Sequence, residues 1–455
     1  MKRECALLGL SLFVVACGSS SSGPGLTVDA GHEGSTGSCT SVAAQSSSSG
    51  FSLKVAPCVD QGSLATGQLL LTASGEQLAL TGYDFPSMNG AFADGWKVEF
   101  SHYIATFDKV SLWNDPDMVP TDQSKVGSLV AELDGSWAVD MHLDGSGFPY
   151  INGKEQGERA VAFAVLNNEN KNGGAAFPTD GTRLAVGFSA VTPTPSALNV
   201  NLDADGLAAY QYMIQNQCTV YYRGTATWQG NASGGLCVAP SDAGAAGNGK
   251  GNEAEFANIP QVVNFDFCFK PANAGGLQPG DPETSWINCD NQDNDPAMAL
   301  NGEPHQRGIA FKTNTYAVGE VTFHTDHPFW ESTKHDTPAR FDQFAAQVVG
   351  VTTDGGVPTV HFEDTKGVDY TGFKDKQGNV LPWRTCDPLY QNPNGGSRVG
   401  QMHFDPVAVP HCTGGDHGTG LCDYFDFSKY DQSTQGHWNG ADGLCYVQRH
   451  YPSPP

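Results

Sequence analysis

The chain has 455 residues, and its 49 acidic side chains against 24 basic ones give a formal net charge of -25 at pH 7. This balance excludes nucleic acid as an expected partner, since phosphate binding depends on Lys and Arg, and it disfavours direct adsorption to anionic lipid. The length that follows the N-terminal segments exceeds one typical domain, so we expect two domains.

The N-terminus has the three parts of a secretory signal: a basic start, a short apolar run from Ala6 to Ala16, and a small residue before Cys17. The apolar run is shorter than the ~20 residues that span a bilayer. Val14-Val15-Ala16-Cys17 resembles the lipobox of bacterial lipoproteins, which implies removal of residues 1–16 and membrane attachment through lipid on Cys17. In that family an Asp directly after the lipidated cysteine tends to retain the protein at the inner membrane. Gly18 stands there instead, which resembles outer-membrane lipoproteins. A secreted protein with a chance cysteine is the alternative.

The rest of the chain divides by composition. Residues 17–50 are the lipidated cysteine and a stretch rich in Gly and Ser, which predicts a flexible tether. We expect a β domain over 51–238, a Gly/Ala/Asn-rich loop over 239–257, and a second β-rich, His- and Cys-rich domain over 258–455. Both halves could instead be one interrupted sandwich.

Turn residues at intervals of about ten predict a mainly β fold of antiparallel, sandwich-like domains. The predicted strands are Trp96–Ile104, Trp137–Leu143, Arg159–Leu166, Leu184–Val191, Thr219–Trp228, Val262–Phe269 and Ala317–His324. Helices are predicted over 205–217 and over 338–349, the second with Thr337 as N-cap. Its apolar face would hold Phe341, Phe344, Ala345 and Val348. His102 lies on an apolar strand face, which favours a core histidine over a ligand.

Ten cysteines remain after Cys5 and Cys17 are set aside, and an even number in an exported chain predicts disulfides. The candidates are Cys39, Cys58, Cys218, Cys237, Cys268, Cys289, Cys386, Cys412, Cys422 and Cys445. Proximity in sequence suggests the pairs 218–237, 268–289 and 412–422, which leaves 39–58 and 386–445. No Cys-x-x-Cys occurs, so we expect no zinc ribbon and no c-type haem.

Signatures of common enzymes are missing from the sequence. Gly244–Lys250 imitates a phosphate-binding loop, but Gly251 stands where a Ser or Thr must hold magnesium, so no nucleotide is expected. Neither a Gly-x-Ser-x-Gly elbow nor a His-Glu-x-x-His helix occurs. An enzyme is therefore less expected than a binding protein.

The stretch 320–330 carries the most chemistry. Glu320, Thr322 and His324 share one face of a predicted strand. His324 and His327 can converge if the chain turns at 325–326, which Pro328 encourages. Imidazole binds zinc, copper and nickel, and Asp326 could ligate or orient it. The alternative is a structural corner of hydrogen-bonded histidines.

A third histidine ligand would come from the far end of the chain. We predict His437, with His403 or His411 as competitors. Calcium is a separate expectation, because Asp290, Asp293 and Asp295 offer several carboxylates in one short loop. Solvated turns are the alternative there.

The second half resembles a group of uncharacterised exported bacterial lipoproteins. The likeness lies in Val321–Trp330, with its His-x-Asp-His before an aromatic pair, in Ala339–Ala346, and in Gly436–Gly440 with Cys445. Asp94–Phe100 resembles a strand of their first half. No activity follows from this resemblance, but it points to His324, Asp326, His327 and His437 as site residues.

Two functions therefore compete. One is a lipid-anchored protein of the cell envelope, on the outer membrane, that binds copper or zinc through these histidines. The other is a non-enzymatic surface module for glycan or protein, with Trp383, Tyr390 and Trp438 as contact residues.

Overall fold

A computed structural model shows a sheet-dominated protein. It describes residues 44–86, 92–143, 150–152, 159–167, 177–232, 237, 256–270, 284–291, 294–330, 339–351, 353, 356–369, 374–379, 381, 384, 386–387, 412–413, 415, 421–432, 436–438 and 445–448. The signal, Cys17, Cys39 and most of the predicted tether lie outside these residues. Residues 47–50 form a turn, in which Gly50 N donates to Ser47 O at 2.9 Å, and Ser49 Oγ donates to Gln211 Oε1 of the folded body at 2.6 Å.

Sixteen strands and four α-helices occur in this part of the chain. The strands are β1 Lys54–Val55, β2 Leu69–Ser74, β3 Trp96–Trp113, β4 Leu129–Asp140, β5 Tyr150–Asn152, β6 Arg159–Leu166, β7 Arg183–Ala190, β8 Leu198–Asn199, β9 Val220–Trp228, β10 Val262–Phe269, β11 Thr284–Ile287, β12 Ile309–Ala310, β13 Ala317–Phe323, β14 Thr359–His361, β15 Gly436–Trp438 and β16 Tyr446–Gln448. The helices are α1 Glu76–Thr81, α2 Ala204–Asn216, α3 Asp342–Ala345 and α4 Tyr424–Gln432. None of the helices in the described ranges is long and apolar enough to span a membrane.

The strands form two sheets. The larger has the path β1-β8-β4-β3-β7-β11-β16, with β9, β10, β12 and β14 attached beside it, and the smaller has the order β15-β13-β2-β6-β5. Most pairs are antiparallel, as predicted, but four are parallel: β13 with β2, β14 with β10, and β8 with both β1 and β4. The mainly β prediction is confirmed, and the sandwich remains a prediction.

Both sheets contain strands from each side of the loop 239–257. β2 pairs with β13 in the smaller sheet, and β7 pairs with β11 in the larger one. Residues 37–455 also form one compact unit. The strands on the two sides of the loop therefore share both sheets, and the division into domains over 51–238 and 258–455 stays a prediction.

Aromatic side chains of the two sheets pack against one another in one core. Phe107 of β3 stacks on Phe163 of β6 with 5.4 Å between ring centroids. Phe323 of β13 meets Trp286 of β11 edge to face at 5.4 Å. Phe163 and Phe323 belong to predicted strands, so apolar residues that indicated those strands contribute to this core.

The two predicted helices differ in outcome. Helix α2 agrees with the prediction over 205–217 to within one residue at each end. The second begins only at Asp342, because the backbone of Ala339 bridges Trp330 and Phe92 before the helix can start. The side chain of Asp94 replaces a local N-cap by accepting hydrogen bonds from the amides of residues 341 and 342, both at 2.7 Å. Thr337 and Pro338 lie outside the described residues, and the predicted apolar face is buried.

Disulfides are present, but three of the predicted pairs are wrong. The observed bonds are Cys218–Cys268, Cys237–Cys386, Cys289–Cys445 and Cys412–Cys422, and only the last was predicted. Sheet pairing explains the first, since β9 and β10 run antiparallel and bring the residues before β9 beside the end of β10. Cys58 is also disulfide-bonded.

Candidate metal site

The site begins where strand β13 ends. Val321 and Phe323 point into the core and are fully buried, as predicted. His324 follows the strand, and a 3-10 helix over His327–Phe329 turns the chain back, with Phe329 N donating to Asp326 O at 2.8 Å. Pro328 occupies the first turn of that helix, where a missing N–H is tolerated. The predicted turn after His324 is therefore confirmed.

This turn brings three candidate ligands together. One ligand atom each from His324, Asp326 and His327 lies within 4.8 Å of the others, and within the described ranges this is the only such group of three or more. The two imidazole rings are 5.0 Å apart at an angle of 75°. Two ligands of one tetrahedral zinc ion are about 3.4 Å apart, so closure on an ion needs movements of up to about 1.5 Å.

The cluster is mostly withdrawn from water. His327 is fully buried and lies against Trp330 with 3.9 Å between ring centroids. Asp326 is half-buried as a residue, but its Oδ1 is buried and accepts no hydrogen bond among the described residues. Burial raises the pKa of Asp326 to about 6, with His324 acting to lower it and Glu76 to raise it. A buried carboxylate beside imidazoles is a setting in which a cation stabilises the charged form.

Neighbouring hydroxyls hold the turn in place. The Tyr83 hydroxyl and Thr325 Oγ1 are 2.5 Å apart, and the Tyr222 hydroxyl donates to the carbonyl of His324 at 3.4 Å. Tyr222 in turn is 2.9 Å from the hydroxyl of Tyr103. Residues 324 and 325 are thus held by hydroxyls from two other segments, one of which is supported by Tyr103, and this preorganises the candidate ligands.

Sequence reasoning missed one member of the site, Glu76. It lies at the start of α1, is 7% exposed, and places Oε1 2.8 Å from Nε2 of His324. The cause is the parallel pairing of β2 with β13, in which Ser74 lies opposite Thr322. Two residues further along each strand, the same register leads to Glu76 and His324. No local pattern indicates this pairing, because the two strands are far apart in the chain.

The other predicted ligands and contacts have different outcomes. His437 lies in β15 opposite Thr322, so its backbone runs beside the strand that leads into the site; its side chain is outside the described part. Trp438 is in the same strand, with the same limit. His403, His411, Trp383 and Tyr390 also lie outside the described residues.

The described residues of the predicted calcium loop do not form a cluster of carboxylates. Asp290 is buried, and burial together with Glu303 raises its pKa to about 8. Asp295 is exposed and accepts a hydrogen bond from the amide of Ala297 at 2.9 Å, as the cap of a short 3-10 helix. Asp293 lies outside the described ranges, so calcium binding stays a prediction.

His102 is the core histidine that the sequence predicted. It is 2% exposed, and its Nδ1 and Nε2 lie 2.7 Å and 3.0 Å from carboxylate oxygens of Asp140 and Asp205. Burial alone would lower the pKa of His102, but the two carboxylates outweigh it and raise the pKa to about 9.

Comparison of the chain with protein-family models, with curated proteins and with solved structures found no match. The chemistry of the site is therefore argued from its own geometry.

Proposed function

We propose that this chain is a lipid-anchored protein of the cell envelope that binds a transition metal, zinc or copper, through His324, Asp326 and His327. The observation that carries the proposal is the convergence of these three side chains at one turn. Two imidazoles and a carboxylate are a common donor set for such ions. His437 is kept as a further candidate ligand, since its strand is the neighbour of β13.

The burial of the Asp326 carboxylate favours a metal site over a structural corner of hydrogen-bonded histidines. A corner satisfies its polar atoms with hydrogen bonds, whereas Oδ1 of Asp326 is buried and accepts none from the residues that are described. A buried, unsatisfied carboxylate oxygen is unfavourable by ~1–3 kcal/mol or more. A bound cation removes that cost.

The test is metal content and affinity of the full chain, purified in detergent from cells that export it and without a His tag. We expect about one zinc or copper ion per chain, and no stoichiometric metal in a His324→Ala/His327→Ala variant that keeps its circular dichroism. His305→Ala/His361→Ala is the matched control, because both histidines lie in other loops and strands. Absence of metal in the wild type, even with a slight excess of ion, refutes the metal proposal.

The membrane anchor is tested separately. Replacement of Cys17 by Ser should abolish labelling by radioactive palmitate and release the chain from the membrane fraction. Cys5→Ser is the control, since Cys5 would leave with the signal. Unchanged fractionation and labelling in the Cys17 variant contradict lipidation at this residue.

A groove on the larger sheet favours glycan binding as a second function. The groove has a volume of about 670 Å³ and is lined by Trp113, Ser111, Ser189, Glu132 and Asp108 among others. The Trp113 ring lies close over a glycine, Gly187, where a Cβ would come within 2.8 Å of it. An aromatic surface beside hydroxyls and carboxylates is suited to the apolar face and the hydroxyls of a sugar.

A glycan array tests this second function. We expect binding by the wild type and loss of binding in Trp113→Ala, with Trp438→Ala as a separate variant for the surface predicted from sequence. Equal binding by wild type and Trp113→Ala excludes the groove.

A further inference from the structure

Glu76 meets the candidate metal site from a segment far away in sequence. Its Oε1 is 2.8 Å from Nε2 of His324, and its side chain is 8% exposed. Two ligands at ~2.0–2.1 Å from one tetrahedral zinc ion are about 3.4 Å apart. The observed separation is about 0.6 Å shorter, so a small movement of the two side chains lets both atoms bind one ion.

The contact does not have the geometry of a hydrogen bond. Oε1 of Glu76 is buried and accepts no hydrogen bond among the described residues, although Nε2 of His324 lies so near. A carboxylate that merely orients a histidine must lie along the N–H direction in the plane of the ring. Ligands of one ion direct their lone pairs at the metal and not at each other, so a short but misaligned contact is the arrangement expected of them.

The backbone at Glu76 is held in a conformation that a glutamate rarely adopts. Its φ is +60°, in the left-handed region, which is unfavourable by ~1–2 kcal/mol for a residue with a Cβ. The Glu76 amide donates to Ser74 Oγ at 2.8 Å, which fixes the turn out of β2. Strain of this kind persists where the surrounding structure requires a side chain in one place.

We propose that Glu76 is a fourth protein ligand, so that the site takes a divalent ion with two imidazoles and two carboxylates. The inference rests on the proposed metal-binding function and deepens it. Zn(II) is the representative ion of this class.

The charges agree with a divalent ion. Two carboxylates balance two positive charges in a buried site, whereas Cu(I) would leave a net negative charge. Oxygen donors also suit divalent ions, while Cu(I) prefers soft sulfur donors.

The test compares Zn(II) affinities, measured by competition with a chromophoric chelator, for the full-length wild type, Glu76→Gln and Glu99→Gln. Glu99 is the matched control, since its side chain is 53% exposed on β3 and the change removes the same charge. We expect Glu76→Gln to weaken Zn(II) binding by more than about 100-fold, because removal of a residue that only orients a ligand weakens metal binding by about 10–100-fold. A loss within or below that range overturns the assignment of Glu76 as a ligand.

A second variant covers the case in which Glu76→Gln fails to fold. Asp tolerates positive φ better than most residues, so Glu76→Asp should keep the fold while withdrawing the carboxylate by one methylene. It should also weaken Zn(II) binding by more than about 100-fold, and wild-type affinity in this variant overturns the proposal. If the wild type binds neither Zn(II) nor copper, the proposed function itself fails. If it binds copper but not Zn(II), or if His324→Ala/His327→Ala loses Zn(II) but both Glu76 variants retain it, only the present inference fails.

Discussion

The pH dependence of stability should report on His102. Its imidazole is 3% exposed and lies between Asp140, which is fully buried, and Asp205, which is 62% exposed and also pairs with Arg223. The pKa of His102 is raised from 6.5 to about 9 in the folded chain, although burial by itself would lower it. The folded state therefore holds a proton on His102 that the unfolded state releases between these two pH values.

The sign and size follow from linkage. A raised histidine pKa contributes stability that is fully present below pH ~6.5 and is lost as the pH rises through ~9. The difference between the two pKa values corresponds to about 2–3 kcal/mol, the lower figure allowing for screening at the exposed Asp205. His102→Gln removes this dependence while keeping a polar side chain between the carboxylates.

The assay is urea denaturation of oxidised wild type and His102→Gln at pH 6 and pH 9.5, followed by tryptophan fluorescence. The stability difference between the two proteins should shrink by about 2–3 kcal/mol at the higher pH. Burial also raises the pKa values of Asp94 and Asp290 to about 8, so only the difference between proteins is interpreted. His305→Gln should behave as wild type. A difference that is the same at both pH values refutes the protonated His102.

Three further changes test the packing. Asp342→Asn should destabilise the fold by about 3–5 kcal/mol in denaturation, because Arg384 is 1% exposed and its Nε donates to Asp342 at 2.7 Å; a loss below 1 kcal/mol contradicts the buried pair. Removing the Cys237–Cys386 disulfide, which spans 149 residues, should destabilise the fold by about 2 kcal/mol more than removing Cys412–Cys422, which spans 10, because it closes the longer loop. The reverse order of melting temperatures contradicts this prediction. Gly75→Ala should weaken Zn(II) binding while Glu76 is intact, since the new Cβ would lie 2.5 Å from a side chain of α1; unchanged affinity shows that α1 does not position the carboxylate.

The features that were predicted correctly depend on residues that are close together in the sequence. Apolar stretches between turn residues predicted β6 and β10 with both ends correct, since such a strand can be recognised from its own residues. The turn that joins His324 to His327 was predicted for the same reason, because its cause, Pro328, is adjacent. The pairing of Cys412 with Cys422 also lies within one short segment.

What failed depended on contacts between distant segments. Helix α3 begins late because Asp94, far earlier in the chain, supplies its cap. The pairing of Cys237 with Cys386 joins segments whose proximity follows only from the sheet order. No property of residues 74–81 in isolation predicts a ligand there, and α1 is too short for a periodic signal.

The parallel pair of β2 and β13 explains why the site lies where it does. Parallel strands end at the same edge of a sheet, so the residues that leave both strands emerge side by side. Here Ser74 lies opposite Thr322, so Glu76 and His324, two residues further on, lie side by side beyond the strand ends. The turn after His324 brings Asp326 and His327 to the same place. An antiparallel pairing would have separated them by the length of the strand.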